Sequence, residues 1–192
     1  MKTNASGQIT LNLTAANPGT YSILSRLVNL PNITIRSNNI TVGSGTVLPY
    51  MTSNSAPSPM TTSGTNVYQT NAAWKAFAVV ENQGYWGTAD GTADYVQINF
   101  GKSYMIAEIY GRYLIVPAQS VDRTVTINGI NSNNTLTAIK TIITRGANWE
   151  TINDRYNPLR GPFIGVRVSF PTVSGSNDQT GVGAQHFRFT VR

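Results

Sequence analysis

"AWKAFAVVENQGYWGTADGTADYVQINFG" (residues 73–101) is dense in aromatic side chains, and its last eight residues decide the fold class. In "DYVQINFG" (94–101), Val96, Ile98 and Phe100 alternate with Tyr95, Gln97 and Asn99. A period of two puts the first set on one face of a strand and the second set on the other. The alternation returns in "PFIGVRVSF" (162–170), through Ile164, Val166, Val168 and Phe170, and in "QHFRFTVR" (185–192), through Phe187, Phe189 and Val191. "YMIAEIYGRYLIV" (104–116) reads as one long strand, bent at Gly111 and ended by Pro117. "RTVTING" (123–129) reads as a short strand with Val125 and Ile127 inward and an Asn-Gly turn at its end. "LTAIKTIITR" (136–145) follows it.

Upstream lies a polar, turn-rich entry, "YMTSNSAPSPMTTSG" (50–64), with Pro57 and Pro59. Before that, residues 1–48 form a separate β-rich region. "QITLNL" (8–13) alternates, "ANPGTY" (16–21) is a turn, and "NITIRSNNITVGSG" (32–45) reads as two short strands around Ser37–Asn39. "YSILSRLVNLP" (21–31) fits either a strand or a short helix. The region is either the first strands of the main fold or an arm that docks on another subunit.

The composition agrees with an all-β protein. The chain has 192 residues, enough for one domain with a core plus an arm. Charged residues make up 11%, against about a quarter in ordinary domains. Asn, Thr, Ser and Gly fill the difference, and these favour turns and strands over helix interiors. Short strands separated by Gly, Asn and Pro clusters point to a sandwich or jelly roll. With no cysteine, there is no disulfide, thiol nucleophile or cysteine zinc site. The net charge is +6, but the lysines and arginines are scattered, which argues against nucleic acid. No segment has the length of a membrane span or an export signal, so the expectation is synthesis in the cytoplasm of the producing cell.

The order of the pieces resembles the discoidin family, also called the coagulation-factor type-C domain, with its galactose-binding-like fold. The residues that carry the resemblance are "SNSAPSPMTTSG" (53–64), "AWKAFAVVENQGYW" (73–86), "DYVQINFG" (94–101), "AEIYGRYL" (107–114), "RGANWETI" (145–152), "IGVRVSF" (164–170) and "HFRFTV" (186–191). It covers about residues 49–192. It implies a jelly-roll β-sandwich with an N-terminal β-rich extension, the polar entry as the sandwich's first edge, and Trp86 in the core. The family often has an Asp after "AF", at a turn that helps hold calcium; this chain has Ala78 there. The expectation is therefore no cofactor, with Glu81 and Asp90 the carboxylates close enough in sequence to compensate.

Candidate chemistry is sparse. His186, the single histidine, sits in an alternating strand opposite Phe187 and Phe189, which suits a surface position better than a catalytic base. The acids Glu81, Asp90, Asp94, Glu108, Asp122, Glu150, Asp154 and Asp178 mostly lie in turns or beside basic residues, as in "DR" at 122–123 and 154–155. Catalysis is not expected. Binding falls to the loops "ENQGYWGTADGTAD" (81–94), "WETINDRYNPLRG" (149–161) and "SGSNDQTGVG" (174–183). Their amides, aromatics and arginines are Asn82, Gln83, Tyr85, Trp149, Asn153, Arg155, Arg160 and Asn177, with glycan or protein as ligand.

An isolated module of this kind, without an export signal, cysteine-free and rich in Asn, Thr and Gly, resembles bacteriophage fibre and baseplate proteins, and the expectation is a non-catalytic virion structural or adhesive protein: a bacteriophage tail, baseplate, fibre or capsid-surface component. Residues 1–48 would attach to other virion proteins, the sandwich would mediate assembly or bind host-surface glycans, and the protein would be a homo-oligomer. The alternative is a free-standing carbohydrate-binding module.

Overall fold

The computed structural model describes residues 19–27, 30–37, 40–42, 45–79, 84–88, 93–116, 122–145, 148–172 and 181–192. The chain divides into two units, Met1–Gly45 and Thr46–Arg192.

In the first unit, β1 (Gly19–Tyr21) pairs antiparallel with β4 (Ile40–Val42), and β2 (Leu24–Leu27) pairs with β3 (Leu30–Arg36). Within "YSILSRLVNLP", Leu24–Leu27 and the residues from Leu30 onward are strand. Two hydrogen bonds join the ends of the pairs: Ser37 N–H donates to the Ile23 carbonyl at 2.9 Å, and Ile23 N–H donates to Ser37 Oγ at 2.8 Å. "QITLNL" lies outside the described residues.

The second unit is an antiparallel β-sandwich of jelly-roll type. Its elements are β5 (Thr46–Val47), β6 (Thr61–Gly64), a 3-10 helix (Ala73–Phe77), β7 (Trp86–Thr88), β8 (Tyr95–Val116), β9 (Arg123–Ile130), β10 (Leu136–Thr144), β11 (Glu150–Ser169) and β12 (Gly181–Val191). The expected boundary after residue 48 falls earlier, because Thr46 and Val47 pair with Val191 and Thr190 of β12.

Two long strands serve both layers. The first part of β8 pairs with β6 and with the end of β11, and β9 and β10 complete that layer. The second part of β8 lies between the start of β11 and β12, and β5 and β7 flank β12. The crossing in β8 comes at Gly101, earlier than the expected bend at Gly111. Gly101 has φ +80°, and a Cβ there would lie 2.6 Å from Pro59. Only glycine takes that backbone at no steric cost. Gly111 stays in regular pairing with Ile152, under the ring of Phe187. The strand does end at Val116, before Pro117.

Alternation fills the space between the layers. Val96, Ile98, Phe100, Val125, Ile127, Val166, Val168 and Phe170 enter from one side, and Ile106, Ile109, Ile115, Ile152, Phe187, Phe189 and Val191 from the other, all buried. Phe100 meets Phe189 across the gap at 5.5 Å between centroids. Trp86 is fully buried against Phe170, at 5.7 Å. Its indole nitrogen sits where a Cβ on Gly64 would be. The polar entry therefore does become the first edge, with β6 paired along β8. Asn54 ties it down, its Oδ1 accepting from Thr62 Oγ1 and from Trp74 N–H, both at 3.0 Å.

Two further expectations change. The Asn128-Gly129 turn is strand interior, with Gly129 paired to Thr137 and Val166. The reversal comes at Asn131–Asn134, where Asn134 takes φ 63°. "WETINDRYNPLRG" is strand as well: from Glu150 onward it belongs to β11. No helix among the described residues is long and apolar enough to cross a membrane.

Candidate functional site

The site begins with parity. Trp86 points into the core, so its strand neighbours Tyr85 and Gly87 face the other way. Gly87 pairs with Gly183 of β12. A Cβ on Gly87 would lie 2.5 Å from the Tyr85 ring, and one on Gly183 would lie 3.2 Å from both Tyr85 and Trp149. The two bare glycines let the rings settle onto the sheet. Tyr85 and Trp149 meet edge to face, with centroids 5.6 Å apart and planes at 74°, each half-buried. This is a favoured aromatic geometry. The Arg112 guanidinium lies 5.8 Å from the Trp149 centroid.

The next residue anchors the pair. Glu150 turns inward and accepts hydrogen bonds from the hydroxyls of Tyr113 and Thr144. Thr144 pairs in register with Arg123, which is buried. Burial raises the Tyr113 phenol well above its ordinary value, and the bond and charge of Glu150 push it the same way. Burial also lowers the Arg123 guanidinium below its ordinary value.

Beyond Arg112 the outward face continues in rows. Arg112 lies between Thr151 and Gln185, Tyr110 between Asn153 and Arg188, and Glu108 between Arg155 and Thr190. Arg188 covers the Tyr110 ring at 4.8 Å. The chain bulges between Gln185 and Arg188, and His186, at φ 60°, sits there between Tyr50 and Tyr110 at 5.5 and 5.6 Å. Tyr50 Oη and His186 Nε2 are hydrogen-bonded at 3.1 Å. Arg155 reaches Glu108 at 3.6 Å, and Thr190 Oγ1 donates to that carboxylate at 3.3 Å.

Of the residues expected from sequence, Tyr85, Trp149, Asn153 and Arg155 share this face. Asn153 and Arg155 do so as strand residues, correcting their assignment to a loop. Arg160 is elsewhere, packed on the Tyr156 ring at 5.6 Å, beside a shallow hollow of about 340 Å³ lined in part by Asn131, Thr137 and Phe163. Asn82, Gln83 and Asn177 lie outside the described residues, as do Glu81, Asp90 and Asp178. The residues not anticipated are Arg112, Tyr110, Arg188 and the two glycines. A signal was present: Glu108, Tyr110 and Arg112 stand at alternate positions of one strand.

The acids also depart from the expected pattern. Asp94 is buried, accepting from Thr65 Oγ1 at 2.7 Å and Asn66 Nδ2 at 3.0 Å. Asp122 pairs with Arg145, and Asp154 with Lys140, while Arg155 reaches Glu108. In β11 the reason is that Asp154 and Arg155 point to opposite faces. Where the discoidin family often has Asp, this chain has Ala78, a buried methyl with no oxygen to offer a calcium ion, and the carboxylates Glu81 and Asp90 lie outside the described residues.

No protein-family model and no curated protein matches the chain. Among solved structures, it is similar to a family 32 carbohydrate-binding module from C. perfringens NanJ in complex with galactose. The identity is 16% and the TM-score 0.48, over 68% of this chain and 92% of that one. It is similar to CpGH89CBM32-5 from Clostridium perfringens, in complex with GalNAc-β-1,3-galactose, at 15% identity and TM-score 0.49, over 68% and 94%. It is also similar to a Streptococcus pneumoniae fucose binding module, at 10% identity and TM-score 0.47, over 70% and 95%.

Proposed function

We propose that the second unit is a non-catalytic glycan-binding module whose seat is the Tyr85–Trp149 pair. The observation that carries this is the pair itself: two half-exposed rings, set edge to face on paired glycines, with a guanidinium beside them. Such rings offer an apolar surface to the C–H face of a sugar, and Arg112 offers N–H groups to its hydroxyls. The test is calorimetric titration of the protein with oligosaccharides. Dissociation constants in the millimolar to micromolar range are expected, about −4 to −8 kcal/mol. Trp149→Ala is expected to weaken binding at least tenfold, about 1.4 kcal/mol. Unchanged affinity in that variant sinks the assignment.

A second element of the proposal is that Met1–Gly45, a unit with two strand pairs of its own, attaches the module to a larger assembly, a virus particle, as a homo-oligomer. Light scattering tests it. The full chain is expected to be oligomeric and residues 46–192 monomeric. Two monomers of equal stability would count against an attachment role.

A further inference from the structure

We infer that the ligand is a chain of carboxylate-bearing sugars, a polyuronate, lying along the outward face of β8, β11 and β12. This rests on the glycan-binding reading above and extends it from one sugar seat to a linear track.

The rows headed by Arg112, Tyr110 and Glu108 succeed one another every second residue, about 6.6 Å apart at roughly 3.3 Å per residue. They continue directly from the Tyr85–Trp149 pair, so the face fits an oligosaccharide better than a single sugar. Among the described residues the charge of its outer rows is one-sided: Arg155 and Arg188 face one carboxylate, Glu108. Glu108 is engaged by Arg155 and Thr190. Arg155 is 84% exposed and touches Glu108 only at 3.6 Å. Among the described residues Arg188 has no carboxylate partner; its contact is the Tyr110 ring.

The chemistry of this pattern is selective. A ring beneath a guanidinium holds its plane and leaves its N–H edge outward. That planar fork matches a carboxylate with two parallel hydrogen bonds. A uronate sugar brings both features that the face answers, an apolar C–H side and a carboxylate on its rim. A single-stranded nucleic acid needs free ring faces for its bases. In the rows beyond the Tyr85–Trp149 pair, Tyr110 offers none of that kind, with Arg188 over it and the His186 ring against it.

The experiment titrates the full chain with oligogalacturonate and oligomannuronate, and with the methyl ester of each, which keeps the sugar and removes the charge. Poly-glutamate and a single-stranded oligonucleotide of matched charge serve as polyanions without uronate. At low salt at least one acid form is expected to bind tenfold or more tighter than its ester, with an advantage that shrinks as salt rises. Arg188→Gln and Arg155→Gln, both at exposed positions, are each expected to reduce acid binding several-fold and to narrow the gap between acid and ester. Equal binding of acid and ester overturns the inference and leaves the glycan-binding reading standing. Failure of all the oligosaccharides overturns both. Poly-glutamate or the oligonucleotide binding as tightly as the best acid form also overturns it, because the face would then recognise charge alone.

Discussion

The two faces of the layer formed by β8, the start of β11 and β12 come from the same three strands and share nothing else. The inward face is Ile106, Ile109, Ile152, Phe187 and Phe189, sealed from water. The outward face is Tyr110, Arg112, Asn153, Arg155 and Arg188, half-buried or exposed. One strand encodes both, by parity: in "EIYGRY" (108–113), Ile109 and Tyr113 point in and Glu108, Tyr110 and Arg112 point out. The inner residues supply folding free energy through area removed from water. The outer ones add little to folding, because their charges stay solvated. The difference teaches where each kind of mutation should act.

The largest effect should fall on the inner face. Phe189→Ala removes a ring that packs on both Phe77 and Phe100, and is expected to cost about 3–5 kcal/mol in denaturant unfolding. A loss under about 1 kcal/mol would mean that the two layers do not pack as described. Next comes the boundary between the faces. Tyr113→Phe leaves Glu150 short of a donor, for an expected loss of about 1–3 kcal/mol. Its pH dependence has a definite sign. The folded-state phenol titrates above its ordinary value of 10.0, so its contribution is complete below pH 10 and is lost as pH rises through the alkaline range, where the unfolded chain gives up its proton first. Unfolding curves of the native protein should therefore weaken more steeply above pH 10 than those of Tyr113→Phe. Parallel curves would show that the phenol is not held neutral.

Smaller again is Gly183→Val, which forces side-chain atoms under Trp149 and Tyr85. It is expected to cost about 1–2 kcal/mol of stability, with a loss of glycan affinity at least as large as that of Trp149→Ala. Retained affinity would show that the rings do not need their glycine seat. At the far end, Arg155→Gln should change stability by less than about 0.5 kcal/mol, since its ion pair is exposed. A larger loss would move Arg155 from the ligand face to the fold.

Much of this contrast was legible in advance, because period-two alternation needs no partner to be read. "DYVQINFG" and "HFRFTV" announce strands and their inward residues without any knowledge of what lies opposite. Trp86 as core and the polar entry as an edge were legible through the ordered resemblance. The site was legible only in part. Tyr85 and Trp149 were named as separate loop candidates, but 63 intervening residues hide that they touch. Gly129 looked like a turn and Gly111 like a bend, because a glycine in a strand gives the same local signal whichever part of the chain approaches it. The acids were matched to neighbours in sequence, whereas β11 sends Asp154 and Arg155 to opposite sides.

The sequence by itself determined the class of the protein: all-β, cysteine-free, held by aromatic anchors, with one face of its alternating strands buried. These properties follow from residue type and spacing, which act locally. Only the tertiary structure decided that β8 crosses between layers at Gly101, that Gly87 and Gly183 seat Tyr85 against Trp149, and that Arg112, Arg188 and Arg155 line up on one face. Those facts depend on register between strands distant in sequence. Register is set by how the buried faces fit together, which no single strand specifies alone.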